Sequence, residues 1–252
     1  MTPVDAVLIV LAGLAAGTIN TVVGSGSLIT FPALLALGYP PVVANVSNNI
    51  GLVPGGISGV WGYRRELAGS RAALLRLAPW SAAGGLLGAV LLLVLPAGVF
   101  TVVVVVLIAL ALVLVVVQPW VSARLKERPS SAAPTRGRVM GLSLGMFAAS
   151  IYGGYFGAAQ GVLYVALISL LLNDDLQQAN AIKNVLATVV NGVAAITFIL
   201  FAHPSWEVVG LIALGSTVGG QLGARVGRLL APRVLRAVIV VVGVVAIVAV
   251  LR

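Results

Sequence analysis

Two glycine-rich interruptions hold the residues of this chain that are best suited to bind a ligand. The first is Gly24-Ser25-Gly26-Ser27, shortly after Asn20, and the second is Gly153-Gly154-Tyr155-Phe156-Gly157, shortly before Gln160. Both lie between apolar runs, so we expect one helix to end and another to begin at each. The free N–H groups and positive dipole at a helix start favour anions, and glycine lets a ligand touch the backbone. The pattern predicts an anion site.

Amides, hydroxyls and one lysine supply the remaining candidate ligands. Every Asp and Glu lies in a loop or near the end of an apolar segment, so a carboxylate proton relay or a sodium cage has no support. We predict a substrate site from Asn20, Gly24, Ser25, Gly26, Ser27, Asn45, Asn49, Gly157, Gln160, Lys183 and Asn184. The alternative left open is that the polar side chains only cap broken helices or join helices, at about 0.6 kcal/mol each.

Lys183 is the cation among these candidates, and two roles remain open for it. It is the counter-charge or gate for an anion, or it reaches along its stem to the cytoplasmic headgroups, as a lysine near a helix end often does. Lys183 can belong to a substrate site only if its side chain faces the interior of the molecule.

The composition identifies an integral membrane protein. Of the 252 residues, 60% are hydrophobic and 8% are charged, against roughly a quarter charged in soluble domains. There is no Cys and only one His, so we expect no metal, no cofactor and no redox chemistry. The net charge of +9 comes from short clusters between apolar runs, which argues against nucleic acid as a partner.

The apolar runs predict an all-helical chain of about eight to ten membrane segments. Segments 28–37 and 161–172 are too short to span comfortably, which suggests broken or re-entrant helices. We place the segments at 4–22, 28–37, 42–62, 72–95, 98–118, 138–156, 161–172, 179–202, 206–224 and 234–251.

Basic residues predict the sidedness, because positively charged loops stay in the cytoplasm. The clusters around Arg64, Arg124 and Arg225 are therefore expected inside. The turns 96–98 and 203–207 have no Lys or Arg and are expected outside. Both chain ends then lie outside an inner membrane. The polar stretch 119–137 is expected to be a flexible cytoplasmic linker between a first membrane repeat, 1–118, and a second, 138–252.

The two halves align with each other at an offset of 135 residues. Ala44-Asn45 matches Ala179-Asn180, and the glycine-rich run 84–89 matches 219–224. The aligned loops carry opposite charge patterns, which predicts repeats inverted in the membrane and a ligand site between them near the midplane.

Other glycines recur every four residues, and this spacing predicts close helix packing rather than chemistry. They are Gly13/Gly17, Gly51/Gly55/Gly59, Gly84/Gly88, Gly141/Gly145 and Gly215/Gly219/Gly223/Gly227.

The run from Gly13 through Asn20, Gly24-Ser25-Gly26-Ser27, Pro32 and Gly38 to Ala44-Asn45 resembles the opening signature of the TauE/SafE family of membrane transporters. A weaker version recurs over 153–184, so the resemblance covers essentially the whole chain. The serines in the first interruption stand where the family often has glycines. The resemblance implies transport of small sulfur-containing anions such as sulfite, thiosulfate, sulfoacetate or other organosulfonates.

We therefore expect a secondary transporter that works by alternating access, with a small anion and membrane lipids as partners and a homodimer left open. A passive anion channel is an alternative, because the same donors could line a pore. An intramembrane serine hydrolase is a weaker one, since a serine of Gly24-Ser25-Gly26-Ser27 and His203 would have to come within hydrogen-bond reach.

Overall fold

The described residues form α-helices joined by short turns and loops, without strands. A computed structural model gives the structure of residues 1–126, 136–169 and 176–226, together with Val241 and Val244. The helices of the described part are α1 (Pro3–Val22), α2 (Ser27–Ala36), α3 (Pro41–Gly62), α4 (Arg71–Val94), α5 (Ala97–Lys126), α6 (Arg136–Tyr155), α7 (Gln160–Ser169), α8 (Leu176–Phe201) and α9 (Trp206–Val226).

Four described helices are long and apolar enough to cross a membrane. They are α1, α4, α8 from Gln177 and α9 to Arg225. The short helices α2 and α7 have 10 residues each, which corresponds to about 15 Å, half of a hydrocarbon core. The described part is therefore an all-helical membrane protein in which α2 and α7 are too short to cross a membrane alone.

The predicted segments agree closely with the helices, with one larger difference. α5 continues to Lys126, eight residues past the predicted end at 118, and α6 begins at Arg136. The first eight residues of the expected linker, 119–126, are thus helical. Residues 127–135 of that linker, and the last predicted segment at 234–251, lie outside the described residues.

Glycine faces bring helices from the two halves together. A Cβ on Gly17 of α1 would lie 2.8 Å from Ser216 Cα of α9, and one on Gly219 of α9 would lie 2.9 Å from Thr18 N of α1. Gly84 and Gly88 of α4 meet the backbone of α6 in the same way. The packing prediction is confirmed at these positions. It is wrong at Gly141, which faces open space, and Gly227 lies outside the described residues.

The ends of the described helices form two separate groups. Tyr63 at the end of α3 packs with Ala181 of α8 and Ala224 of α9. At the opposite ends, the Tyr39 hydroxyl lies 3.9 Å from Met1 Sδ, and a surface pocket is lined by Met1 and Trp206 together. The basic segment after α3 and the basic end of α9 therefore lie on one side of the molecule, away from the N-terminus.

Aromatic rings hold the second interruption against α2 and α5. The Phe31 ring of α2 meets Phe156 edge to face at a centroid distance of 5.1 Å, and Phe100 of α5 lies 5.7 Å from the Tyr155 ring. All four rings are buried in the largest apolar cluster. The packing fixes where α6 ends and α7 begins.

Candidate functional site

The two helix interruptions meet inside the molecule. The Gly161 amide, at the start of α7, donates to Gly24 O at 3.1 Å. Gly24 adopts a φ of +82°, and a Cβ on either glycine would overlap the Cα of the other. Only glycine combines this φ with this approach. The interruption between α1 and α2, and that between α6 and α7, thus form one buried junction of non-helical backbone.

Several backbone amides at this junction have no acceptor among the described residues. They are those of Ser25, Gly26 and Ser27 at the first interruption, and of Ala158 and Ala159 at the second. A helix start after the second interruption predicts free amides from Gly157 to Gly161. Only some of these amides are free. The amide of Gly157 donates to Tyr152 O and that of Gly161 to Gly24 O, because these two residues close the end of α6 and the contact between the interruptions.

Two buried side chains at the junction also lack partners. Ser25 is fully buried and Gln160 is 3% exposed. Neither Ser25 Oγ nor Gln160 Nε2 has a hydrogen-bond partner among the described residues. A buried polar group without a partner costs about 1–3 kcal/mol, so such groups call for an explanation, and an absent ligand is one.

Lys183 lies in the interior and does not reach the cytoplasmic headgroups. Its side chain is fully buried, and Nζ donates to Asn20 O at 3.0 Å and to Thr21 O at 3.1 Å. A Cβ on Gly161 would lie 2.9 Å from Lys183 Cδ. The lysine therefore joins the last turn of α1 to α8 beside the junction, and the snorkelling alternative is wrong.

The asparagines of the predicted site mainly satisfy helix ends. Asn45 Nδ2 donates to Tyr155 O at 3.0 Å, which caps the end of α6. Asn184 Nδ2 donates to Thr21 O at 3.1 Å, and Asn180 Nδ2 reaches the same oxygen at 3.3 Å. Asn49 Nδ2 lies 3.4 Å from Asn191 Oδ1. The bonds of Asn45, Asn180 and Asn184 cap helix ends, and the bond of Asn49 joins α3 to α8. Capping and joining helices are the alternative roles that the sequence left open.

The remaining predicted residues lie at the same junction. Asn20 contributes its backbone oxygen to Lys183, Gly26 fits against Ala16 O of α1, and Ser27 Oγ accepts from Asn48 Nδ2 at 3.2 Å. Gly157 has a φ of +76° and forms the left-handed end of α6.

Two structural features escaped the sequence reasoning. The carbonyl oxygens of Asn20 and Thr21 accept the lysine and two asparagines, whereas only the side chain of Asn20 had been considered. Tyr155 is 7% exposed and its hydroxyl has no partner among the described residues. Its position inside the second glycine-rich interruption was the signal that could have indicated it.

The pair needed for a serine hydrolase does not form. Ser25 is fully buried without a partner among the described residues, Ser27 Oγ accepts from Asn48 Nδ2, and His203 is exposed on the segment between α8 and α9. A base must lie within hydrogen-bond reach of the nucleophile. The structure therefore does not support the serine hydrolase alternative.

Comparison with known proteins gives consistent matches. The family described as "Sulfite exporter TauE/SafE" matches residues 9–250. The chain is 26% identical over 231 residues to "Probable membrane transporter protein YfcA" of Escherichia coli strain K12, covering 90% of this chain and 82% of the relative. It is 27% identical over 233 residues to "Probable membrane transporter protein ORF9" of Sinorhizobium sp, covering 92% and 87%. No solved structure gives a significant match.

Proposed function

Because this chain belongs to the sulfite exporter TauE/SafE family of membrane transporters, we propose that it is a secondary transporter that carries small sulfur-containing anions. The observation that carries this proposal is the buried junction, where Lys183 donates to Asn20 O and packs against Gly161, and where Ser25 Oγ and Gln160 Nε2 lack partners among the described residues. An oxyanion such as sulfite, thiosulfate, sulfoacetate or another organosulfonate accepts hydrogen bonds from such donors. It also supplies negative charge that balances the ammonium of the lysine.

The donor set suits an oxyanion better than a cation or a neutral solute. Hydrogen bonds to a charged group contribute about 1.5–3 kcal/mol each, and the low dielectric of the interior strengthens the attraction of the ammonium. Among the described residues no Asp or Glu belongs to the buried core. A cation would therefore meet a positive site without a negative ligand.

Transport would proceed by alternating exposure of this site to the two membrane faces. Ser25, Gln160 and Lys183 are all buried, so an anion bound at the junction would be enclosed. Release then requires the packed helices around the junction to separate on one side at a time. The glycine faces between α1 and α9, and between α4 and α6, provide smooth surfaces on which helices can slide.

The same proposal places the protein in an inner membrane, with the Arg64 and Arg225 side in the cytoplasm and the N-terminus outside. The support is the positive-inside rule together with the grouping of Tyr63, Ala181 and Ala224 at one end of the molecule.

Flux into proteoliposomes tests the transport function. Purified protein is reconstituted, and uptake of radiolabelled sulfite, thiosulfate and methanesulfonate is measured with and without a pH gradient and a membrane potential. We expect saturable, protein-dependent uptake of at least one anion. Absence of protein-dependent flux for all three would contradict the proposed substrate class, and uptake that never saturates would favour a channel.

A further inference from the structure

As an ammonium, Lys183 would bring one positive charge to the junction, where none of the described carboxylates is a neighbour. Of the charged residues whose burial the structure describes, it is the one in the core. Among the described carboxylates, Asp5 is bonded to Thr2 at the start of α1, and Glu207 is exposed at the start of α9. Glu66 is half-buried on the segment between α3 and α4. None of them contacts the lysine.

The protein compensates only part of the positive charge of the Lys183 ammonium. An ammonium has three protons to donate, and two go to the oxygens of Asn20 and Thr21. These oxygens form the last turn of α1, whose negative dipole end corresponds to about half an elementary charge. The third proton has no acceptor among the described residues, and the unpartnered side chains of the two interruptions, Ser25 and Gln160, are neutral.

The equivalent position of the first half adds no charge. The offset of 135 aligns Asn48 with Lys183. Asn48 is buried and bonded to Ser27 Oγ and to Thr30 Oγ1 of α2. One of the two aligned positions is therefore a cation and the other a neutral amide.

We propose that Lys183 selects the charge of the transported anion, so that the site takes a singly charged oxyanion of the R–SO₃⁻ type and crosses the membrane neutral when loaded. This inference rests on the proposed transport function. A monoanion balances the ammonium, whereas a dianion leaves one negative charge in the low-dielectric interior, and an uncompensated buried charge is costly. Of the anions named above, hydrogen sulfite and simple organosulfonates are singly charged and fit the site. Thiosulfate, sulfoacetate and fully deprotonated sulfite are dianions and are disfavoured. The empty site carries one positive charge.

A difference between two modes of transport follows. In exchange of one anion for another across the membrane, only the loaded site moves, so the rate does not respond to the membrane potential. Net uptake includes the return of the empty, charged site and does respond. Without the charge of Lys183, the site loaded with a monoanion carries one negative charge. The rate of anion exchange would then depend on the membrane potential.

The test uses the full chain in proteoliposomes with potassium and valinomycin to set the potential. For the wild type we expect exchange of labelled methanesulfonate to change by less than about twofold over about 100 mV. Methanedisulfonate and sulfate should compete at least about tenfold more weakly than unlabelled methanesulfonate. In Lys183→Gln, exchange should change by about tenfold over the same range, while Lys183→Arg should behave like the wild type.

Arg76→Gln is the matched control, because it removes a positive charge from an exposed position on α4 and should leave exchange independent of potential. Wild-type exchange that depends on potential, or dianions that compete as well as the monoanion, would overturn the inference and leave the transport function standing. Both readouts need only the wild type, so a poorly folding variant does not decide the matter. No flux of any anion in the wild type would overturn the proposed function itself.

Discussion

At the scale of residues, the sequence indicated which side chains gather in the interior but not how each is bonded. Ser25, Gln160 and Lys183 were predictable because polar residues beside glycine-rich interruptions are unusual in an apolar chain. The capping bonds of Asn45 and Asn184 were not, since they depend on where α6 and α1 end in space. A pattern of residue types gives no information about which backbone oxygens are left unsatisfied.

Ser25 offers a residue whose removal separates binding from stability. Because Ser25 Oγ makes no hydrogen bond among the described residues, Ser25→Ala should leave the thermal unfolding midpoint of the detergent-solubilised protein unchanged or slightly raised. Loss of one donor to an anion should weaken methanesulfonate affinity by about tenfold. Thermal stabilisation by the anion measures both quantities in one titration.

Ser216 is the matched control for that substitution. It is also fully buried, but its hydroxyl donates to Gly51 O at 2.9 Å between α9 and α3. Ser216→Ala should lower the unfolding midpoint and leave the affinity for methanesulfonate as it is. The reverse pattern for the two serines would show that Ser25 is structural.

Gly24 and Gly38 test whether the junction needs close backbone contact. Both have φ near +80°, but a Cβ on Gly24 would overlap Gly161, whereas a Cβ on Gly38 meets no atom within 4 Å. Gly38→Ala should cost only the strain of the left-handed backbone, about 1–2 kcal/mol, and retain transport. Gly24→Ala should abolish uptake in proteoliposomes. Equal effects in the two variants would contradict a requirement for contact.

At the scale of elements, hydropathy and glycine spacing predicted the helices and most of their packing faces. The short helices α2 and α7 were indicated by apolar runs of about ten residues after an interruption. The end of α5 was misjudged because the polar residues after 118 suit a solvated helix as well as a loop. Ala159, with a φ of +59°, aligns with Gly24 at the offset of 135. No residue type indicated this turn.

The packing of α1 against α9 can be tested with two glycines of the same helix. Gly219 lies against Leu14 and Thr18 of α1, and Gly210 has no atom within 4 Å of a built Cβ. Overpacking by Gly219→Ala should reduce the stability by about 1–3 kcal/mol. Gly210→Ala should leave it unchanged or improve it by up to about 1 kcal/mol. Thermal unfolding monitored in detergent compares them, and equal stability would contradict the tight face.

At the scale of the whole molecule, the two groups of helix ends and the positions of the basic residues together predict a membrane topology. This topology can be measured. The chain has no native cysteine, so single cysteines report one site each. Ala68 is exposed on the basic side and His203 is exposed on the opposite side. In intact cells a membrane-impermeant maleimide should label His203→Cys, and should label Ala68→Cys only after permeabilisation. Labelling of both in intact cells, or the reverse order, would contradict the orientation.

The central claim is that one enclosed anion site between the two interruptions is exposed to each membrane face in turn. Counterflow tests it most directly: proteoliposomes are loaded with unlabelled methanesulfonate and diluted into a trace of the labelled anion. A carrier should concentrate the label inside transiently above its equilibrium level, because each outward passage of unlabelled anion returns a site that is free to bind label. Label that only rises to equilibrium, with no overshoot, would contradict alternating access and indicate an open pore.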